Sequence, residues 1–324
     1  MREPPVPPAH FSNAMLRPVP VLINRTGGTA AAHGYALFHH IEEAFAATGR
    51  EVAIELLAGS AIAEAVARHA DSPLVIVGGG DGTLSVAASV LAGRRGALGI
   101  LPLGTRNHLA RQLGVPLDLA EAARVAVRGQ RKRIDLGAAG ARIFVNNASF
   151  GIYTRFVRAR EGMRGPRWLD TVPAMVHVLR HMRAQQFPLR INGLSRTLVT
   201  PLLFVGNNEY AIDPGHLGER ASLTDGELSV YAVAAQQPLG LFGFAARALL
   251  GLARPERDFQ LFAAAREIVL DGEGWVEGAF DGEIEVMPLP LVIRTLPGAL
   301  GVVIPRETAG DAMFAKGILT DRTL

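Results

Sequence analysis

The residues best suited to binding an anion are a run of glycines that follows an apolar segment. Leu74–Val77 is predicted as a buried strand, and Gly78–Thr83 adds four glycines, an aspartate and a threonine. Glycines let backbone N–H groups approach an anion closely, and a helix beginning near Thr83 adds partial positive charge. The run therefore predicts a phosphate-binding loop. The alternative is a strand-to-helix turn whose glycines serve packing.

Two more loops of similar composition follow other predicted strands. Gly99–His108 contains a strand end, a Gly-Thr pair and the start of a helix, and Asn24–Gly28 follows the first strand of the chain. The carboxyl ends of parallel strands meet at one edge of a sheet, where ligands of open α/β sheets bind. The three loops together therefore predict one concave anion site.

The elements that carry these loops alternate in type. Four short apolar runs are separated by stretches with helical spacing, which predicts βαβ units and a parallel sheet with helices on both faces. The predicted strands are Val19–Ile23, Val52–Leu56, Leu74–Val77 and Leu98–Leu101.

After about Arg131 the pattern changes to short strands separated by Asp-Gly and Pro-Gly turns, which are typical of antiparallel structure. Helices are predicted within 155–182 and at Leu239–Leu252. The fold class is therefore α/β, with an N-terminal Rossmann-like parallel-sheet domain and a C-terminal, mostly antiparallel β-sandwich domain. The predicted strands are Ile134–Leu136, Ile143–Asn147, Thr197–Val205, Glu227–Ala234, Glu267–Asp271, Glu283–Met287, Leu291–Leu296 and Leu300–Ile304.

Four segments are predicted from these patterns. Residues 1–18 are rich in proline and predict a disordered leader rather than a signal peptide. Residues 19–138 form the α/β domain that would bind a nucleotide, and residues 139–306 form the β-rich domain. Residues 307–324 are a tail that is helical or disordered and is expected to pack on the first domain.

Composition excludes several classes of protein. The 324 residues contain no cysteine, and a net charge of +3 is far from that of a dedicated nucleic-acid binder. The two lysines, Lys132 and Lys316, lie in neither a G-K-[ST] phosphate loop nor a V-A-I-K strand. If the protein handles ATP, it does so by a route other than these two.

The chain resembles the diacylglycerol kinase catalytic domain family, which includes bacterial diacylglycerol kinase-like lipid kinases, sphingosine kinases and ceramide kinases and is distantly related to NAD kinases. Gly-Gly-Gly-Asp-Gly-Thr at 78–83, followed by Leu-Pro-Leu-Gly-Thr-x-Asn at 101–107, carries most of the resemblance. Five more segments resemble the family's pattern: Asn24–Gly28, Asn146–Gly151, Gly206–Asn208, Ala221–Leu228 and Phe280–Glu283.

The resemblance implies ATP-dependent phosphorylation of a lipid hydroxyl, with ATP and Mg²⁺ as cofactors. Glu283 would be the general base and Asp81 would face the metal-bound phosphate, although Asp81 could instead cap the helix near Thr83. Asp225, with the main-chain carbonyls of Ser222 and Glu227, would hold a structural magnesium. The implied nucleotide-binding residues are Asn24, Gly79, Gly80, Asp81, Gly82, Thr83, Gly104, Thr105 and Asn107.

The choice of the general base and three departures from the family's pattern remain open. Asp271-Gly272-Glu273 is a second Asp-Gly-Glu copy, but the copy ending at Glu283 has the better spacing from the Pro-Gly segment at 297–298. The alternative to the general-base role is that Glu283 is simply an exposed charge on a hairpin. The family's pattern is broken at Glu55, Ser85 and His108.

The expected partners are ATP and a membrane lipid, with no nucleic acid, and the expected location is the cytoplasm, peripheral on the inner membrane face. Arginine-rich helices in 155–183 would suit anionic lipid headgroups, and each arginine near the membrane surface would contribute about 1 kcal/mol of binding free energy. The alternative is that these arginines form a solvated face. The lipid and the oligomeric state are not predicted. Two alternatives remain: an NAD kinase-like enzyme that phosphorylates a ribose hydroxyl, and a nucleotide-binding regulator without catalysis.

Overall fold

The structure is a computed structural model that describes residues 18–26, 28–151, 184–210, 220, 222–233 and 259–306. Four predictions lie outside the described residues. They are the leader up to residue 17, the arginine-rich helices in 155–183, the helix at 239–252 and the tail at 307–324. No helix in the described part of the chain is long and apolar enough to cross a bilayer.

The first part of the chain alternates strands and helices, as predicted. Four parallel strands lie in the order β2-β1-β3-β4, and three of them, β1, β3 and β4, end at the glycine- and threonine-containing loops. Their buried aliphatic residues form one core with the helices. The elements are β1 Val19–Asn24, α1 Gly28–Ala46, β2 Val52–Leu57, α2 Ile62–Arg68, β3 Leu74–Gly79, α3 Asp81–Leu91, β4 Ala97–Pro102, α4 His108–Gln112 and α5 Leu119–Arg128.

The second part is mostly antiparallel. Six strands form a separate sheet in the order β12-β11-β10-β7-β14-β15. The elements are β5 Gln130–Ala139, β6 Arg142–Phe144, β7 Asn147–Gly151, β8 Gln185–Ile191, β9 Leu194–Thr200, β10 Leu202–Asn207, β11 Leu228–Val233, β12 Phe259–Ala265, β13 Glu267–Leu270, β14 Trp275–Phe280, β15 Glu283–Pro288 and β16 Leu291–Ile304.

A second apolar core lies between this six-stranded sheet and the outer strands of the first sheet. Phe150 and Phe280 contribute from the six-stranded sheet, and Leu189, Ile268 and Ile293 contribute from β8, β13 and β16. Two sheets that bury their facing residues in this way form a sandwich. The predicted fold class is therefore confirmed.

Strand β16 joins the two parts. Its first residues pair antiparallel with β13, and Gly301 and Val302 pair parallel with Ala97 and Leu98 of β4. Strand β5 pairs antiparallel with β16 along most of the length of β16. The predicted boundary near residue 138 thus falls inside β5, and β16, which lies in the predicted second segment, pairs with β4 of the first within one ten-stranded sheet. The predicted domain ranges stay a prediction.

Two strand predictions are wrong where they meet a proline. Leu291–Leu296 and Leu300–Ile304 form one strand, because Pro297-Gly298 makes a bulge rather than a turn. Gly298 adopts a φ of +56° and donates its N–H to the buried Asp135 carboxylate. In the other case, the predicted strand Thr197–Val205 is divided into β9 and β10 at Pro201, whose missing N–H cannot join a sheet ladder. A third predicted strand, Ile143–Asn147, is divided between β6 and β7, because the N–H groups of Val145 and Asn146 donate to Asp281 instead of to a neighbouring strand.

Candidate active site

The loop after β1 is tied to the glycine loop after β3. Asn24, the last residue of β1, donates from Nδ2 to Thr83 Oγ1 at 2.8 Å. Its Oδ1 accepts from the backbone N–H and the hydroxyl of Thr26 at 3.0 and 2.8 Å. The structure therefore brings together two predicted nucleotide-binding residues, Asn24 and Thr83, at one edge of the sheet.

The loops after β3 and β4 meet at their glycines. A Cβ built on Gly104 would lie 2.4 Å from Gly80 Cα, and a Cβ on Gly79 would lie 2.6 Å from Thr83 Cβ. Both distances are shorter than real Cβ contacts, so glycine alone allows the two loop backbones to meet at Gly104 and Gly80 and allows the Thr83 side chain to pack on Gly79. Tight packing thus accounts for some of these glycines, and the same approach places backbone from two strand ends in one crevice.

Asn107 shapes the second loop from within. It adopts a φ of +54° and is buried. Its Nδ2 donates to Gly104 O at 2.8 Å, and its Oδ1 accepts from Gly104 N at 2.9 Å. Its amide therefore holds the loop closed, while the neighbouring Thr105 is exposed. Sequence inspection alone did not separate these two roles.

Asp81 is the first residue of α3, so it does not cap that helix; the capping position is Gly80. Its Oδ1 instead accepts from the backbone N–H of Leu109 at 3.1 Å. Leu109 lies at the start of α4, where N–H groups lack partners within the helix. Asp81 thus links the two glycine loops and remains partly exposed beside them.

Glu283 reaches the glycine loop from the six-stranded sheet. It is the first residue of β15, directly after the Asp281-Gly282 hairpin turn. Its Oε1 lies 3.5 Å from a Cβ built on Gly82, and its side chain is 50% exposed. The competing Glu273 lies at the opposite end of β14, about 20 Å away for a six-residue strand. Of the two Asp-Gly-Glu copies, the one ending at Glu283 therefore adjoins the loop.

Arg142, which the sequence analysis did not single out, stands beside this carboxylate. Its Nη2 lies 2.7 Å from Glu283 Oε2 and its Nη1 lies 2.7 Å from Glu285 Oε1. Its Nε is buried and has no hydrogen-bond partner among the described residues. The only sequence signal is its place at the start of a predicted strand, which carries no functional information by itself.

Asp281 connects the turn before Glu283 to its surroundings. Its Oδ2 accepts from Ser85 Oγ at 2.6 Å and from Val145 N at 2.7 Å, and its Oδ1 accepts from the backbone N–H groups of Asn146 and Asn147 at 2.7 and 3.2 Å. Ser85 belongs to α3, the helix that follows the glycine loop. This contact gives a positional role to Ser85, where the family's pattern is broken.

The family's pattern is also broken at Glu55 and His108, and neither residue has a positional role like that of Ser85. Glu55 pairs with Arg68 at 2.9 Å and with His69 at 3.3 Å, which occupies its carboxylate on the surface of β2. His108 is exposed at the start of α4.

The turn at 222–227 carries the predicted magnesium ligands. Asp225 is exposed, its N–H donates to Asn208 Oδ1, and the Glu227 carbonyl accepts from Asn208 N. The buried Asp135 accepts from Gly226 N at 2.7 Å and fixes the turn. One carboxylate and two carbonyls are hard oxygen donors of the kind that Mg²⁺ prefers, so the donor set fits. No cluster of three His, Asp or Glu side chains occurs among the described residues.

A buried polar group links the site's two sides. Arg220 donates to Gln112 Oε1 of α4 at 3.0 and 2.6 Å and to Val145 O at 2.7 Å. Burial lowers the pKa of Arg220. Burial also raises the pKa of Tyr210 to about 12, so its hydroxyl stays protonated and donates to Asn146 O at 3.0 Å.

The comparisons with known proteins find one family and one fold. Residues 18–139 match the diacylglycerol kinase catalytic domain family. A Klebsiella pneumoniae (strain 342) protein named "Probable lipid kinase YegS-like" is 45% identical over 84 residues, which are 25% of this chain and 28% of that protein. A Yersinia pestis (strain Pestoides F) protein of the same name is 44% identical over 86 residues. The chain thus matches little more than a quarter of the length of these relatives.

Solved structures resemble the whole fold. The crystal structure of a diacylglycerol kinase from Bacillus anthracis str. Sterne has a TM-score of 0.63 and 22% identity, covering 89% of this chain and 96% of that one. Another structure from the same organism has a TM-score of 0.67 and 25% identity, covering 89% and 97%. The family match includes both glycine loops, and the likeness to solved structures extends through the β-sandwich, so the predicted resemblance of residues 18–139 to the diacylglycerol kinase catalytic domain family is confirmed.

Proposed function

We propose that this protein is an ATP-dependent lipid kinase that transfers the γ-phosphoryl group of ATP to a lipid hydroxyl. One observation carries the proposal: the Glu283 carboxylate of the β-sandwich lies beside Gly82 of the glycine loop. A carboxylate facing a nest of backbone N–H groups across a cleft places a proton acceptor next to an anion site. The family match supports the same reaction class.

In this mechanism the chain positions two substrates rather than forming a covalent intermediate. The β- and γ-phosphates would lie against backbone N–H groups of Gly80–Thr83 and Gly104–Thr105. The lipid oxygen forms a bond to the γ-phosphorus while the bond from that phosphorus to the β–γ bridging oxygen breaks, releasing ADP. Glu283 accepts the hydroxyl proton. Phosphoryl transfer depends mainly on such positioning and on neutralising charge.

Magnesium bound with ATP would neutralise charge on the β- and γ-phosphates, and Asp81 is the carboxylate of the glycine loop that would face it. A second, structural magnesium would be held by the Asp225 carboxylate and the carbonyls of Ser222 and Glu227. The backbone of this turn is already held by Asn208 and Asp135.

The proposed acceptor is the hydroxyl of a diacylglycerol or of a sphingoid or ceramide lipid, presented at a membrane surface. A phosphate-transfer assay tests this class directly. The protein is incubated with Mg²⁺, labelled ATP and vesicles containing one candidate lipid at a time, with NAD in a parallel reaction. Labelled lipid is expected. Labelled NAD phosphate would support the NAD kinase-like alternative, and ATP binding without any transfer would support a regulator.

Glu283→Gln tests the assigned base. The amide cannot accept the hydroxyl proton, so kcat is expected to fall by about 10²- to 10⁴-fold, while the affinity for ATP stays within a few-fold of the original value. Steady-state kinetics and calorimetric titration with ATP measure the two quantities.

The matched control is Glu273→Gln, which removes the same charge from the other Asp-Gly-Glu turn, where Glu273 is exposed. Its kcat is expected to stay unchanged. Equal activity of the two variants would remove Glu283 from the mechanism.

A further inference from the structure

The ion pair beside the proposed base has an unusual form. One guanidinium, that of Arg142, bridges two carboxylates of the same strand, with both N···O distances at 2.7 Å. The side chain is 22% exposed, so the guanidinium is held in place but is still reachable from the cleft. Two carboxylates, those of Glu283 and Glu285, flank one guanidinium, so the isolated cluster carries a net negative charge.

A negative cluster at this position conflicts with binding a triphosphate. Glu283 lies beside Gly82, and the γ-phosphate of the proposed substrate must approach the same loop. The only lysine that the structure describes, Lys132, pairs with Val302 of β16 at the level of Leu98, four residues before β4 ends. That lysine therefore lies about 13 Å along the strand from the loop, so a side-chain cation that meets the phosphate beside Mg²⁺ would be an arginine.

Given the proposed function, on which this inference rests, we infer that Arg142 binds the γ-phosphate of ATP. Glu285 keeps hold of Nη1, and Nη2 turns from Glu283 Oε2 to a phosphate oxygen. The planar guanidinium presents several N–H donors at once and pairs well with phosphate. Losing this partner also frees Glu283 to accept the proton of the hydroxyl. The arriving nucleotide thus exchanges one anion on Arg142 for another.

The simpler reading of the geometry is that Arg142 only orients Glu283. The two roles differ in what they require. An orienting arginine matters only while Glu283 is a carboxylate. A phosphate-binding arginine contributes to ATP affinity whether or not that carboxylate is present, and it contributes little to the binding of ADP, which lacks the γ-phosphate.

The test is calorimetric titration of the full chain with Mg·ATP and with Mg·ADP. Arg142→Gln is expected to weaken ATP binding by about 10- to 100-fold, the value of a charge-assisted hydrogen bond, and to change ADP binding by less than about threefold. The same selective loss is expected when Arg142→Gln is introduced into the Glu283→Gln variant. Arg142→Lys should recover part of the ATP affinity, because it keeps the charge but loses the planar donor set.

Two controls guard against a folding defect. Arg142→Gln leaves Glu283 and Glu285 facing each other, so the double variant Arg142→Gln/Glu285→Gln repeats the test without that repulsion. Arg190→Gln removes an arginine whose two hydrogen bonds reach Asp271 on a distant strand pair. This variant should bind both nucleotides like the unmodified chain.

The outcomes separate the inference from the function beneath it. The inference is overturned if Arg142→Gln weakens ATP and ADP binding equally, or if its effect disappears in the Glu283→Gln background. An unmodified chain that binds neither nucleotide would instead contradict the proposed function. If the unmodified chain phosphorylates lipid and the Arg142→Gln variant keeps the same preference for ATP over ADP, the inference alone is contradicted.

Discussion

At the scale of single residues, the site depends on a carboxylate that performs no chemistry in the proposed mechanism. Asp281 accepts three backbone N–H groups and one hydroxyl. It adopts a φ of +50°, and Gly282 follows with +90°. Aspartate and glycine tolerate these conformations better than other residues, so the turn that precedes Glu283 is fixed both by its own sequence and by its hydrogen bonds.

Ser85→Ala tests the part of this arrangement that connects the two sides of the cleft. The variant removes the hydroxyl between α3 and Asp281, and the three backbone bonds remain. We expect a loss of about 1 kcal/mol in the free energy of unfolding. We also expect a reduction in kcat of about tenfold, because Glu283 is positioned less precisely. Urea denaturation and lipid-kinase assays measure these effects.

A second serine of the same helix offers a comparison. Ser89 lies one turn further along α3, and its hydroxyl donates only to the Ser85 carbonyl within the helix. Ser89→Ala should therefore leave kcat unchanged. Equal kcat for both serine variants would show that the contact between Ser85 and Asp281 does not position the base.

At the scale of elements, the turn at 222–227 shows how a short segment can be prepared to bind an ion. Asn208, directly after β10, and Asp135 of β5 hold its backbone, so an ion that binds there has less conformational entropy to remove from the turn. Only Asp225 would use its side chain in the predicted magnesium site. Ser222 and Glu227 would contribute main-chain carbonyls.

Magnesium is therefore expected to raise the unfolding temperature of the unmodified chain. A concentration of 100 times Kd would add about 2.7 kcal/mol to the free energy of unfolding. Asp225→Asn should abolish this stabilisation, and Glu227→Gln should preserve it, since the carbonyl remains. Thermal denaturation with and without Mg²⁺, in the absence of nucleotide, measures the difference. A Glu227→Gln variant that also lost the effect would contradict the predicted ligand set.

At the scale of the whole molecule, the two sheets are held in one relative position by shared strands and by a buried arginine. Strands β5 and β16 run through both apolar cores. Arg220 spans from Gln112 of the first domain to Val145, next to the Asp281 cluster. The cleft between the glycine loop and Glu283 therefore depends on contacts that belong to neither side alone.

A double-mutant cycle tests this link. Gln112→Leu leaves the Nε donor of Arg220 without an acceptor, while Nη2 keeps Asn146 Oδ1 at 3.2 Å, and it is expected to cost about 1–3 kcal/mol of stability. Arg220→Met should also destabilise, but the double variant should lose less than the sum of the two, with a coupling of about 1 kcal/mol or more. Chemical denaturation of the four proteins gives the cycle. Strict additivity would show that the two side chains are not coupled in stability.

The amino-acid sequence alone determined the alternating elements, the three loops at one sheet edge and the glycine and Asp-Gly positions. These follow from short-range causes: the periodicity of apolar residues and the backbone freedom of glycine. The tertiary structure decided the rest. Whether Pro297-Gly298 turned the chain or bulged a strand depended on Asp135, 163 positions away. The contact of Ser85 with Asp281 spans 196 positions, and that of Arg142 with Glu283 spans 141. No local pattern encodes such pairs, because they form only when the packing of the two cores sets the distance between strands.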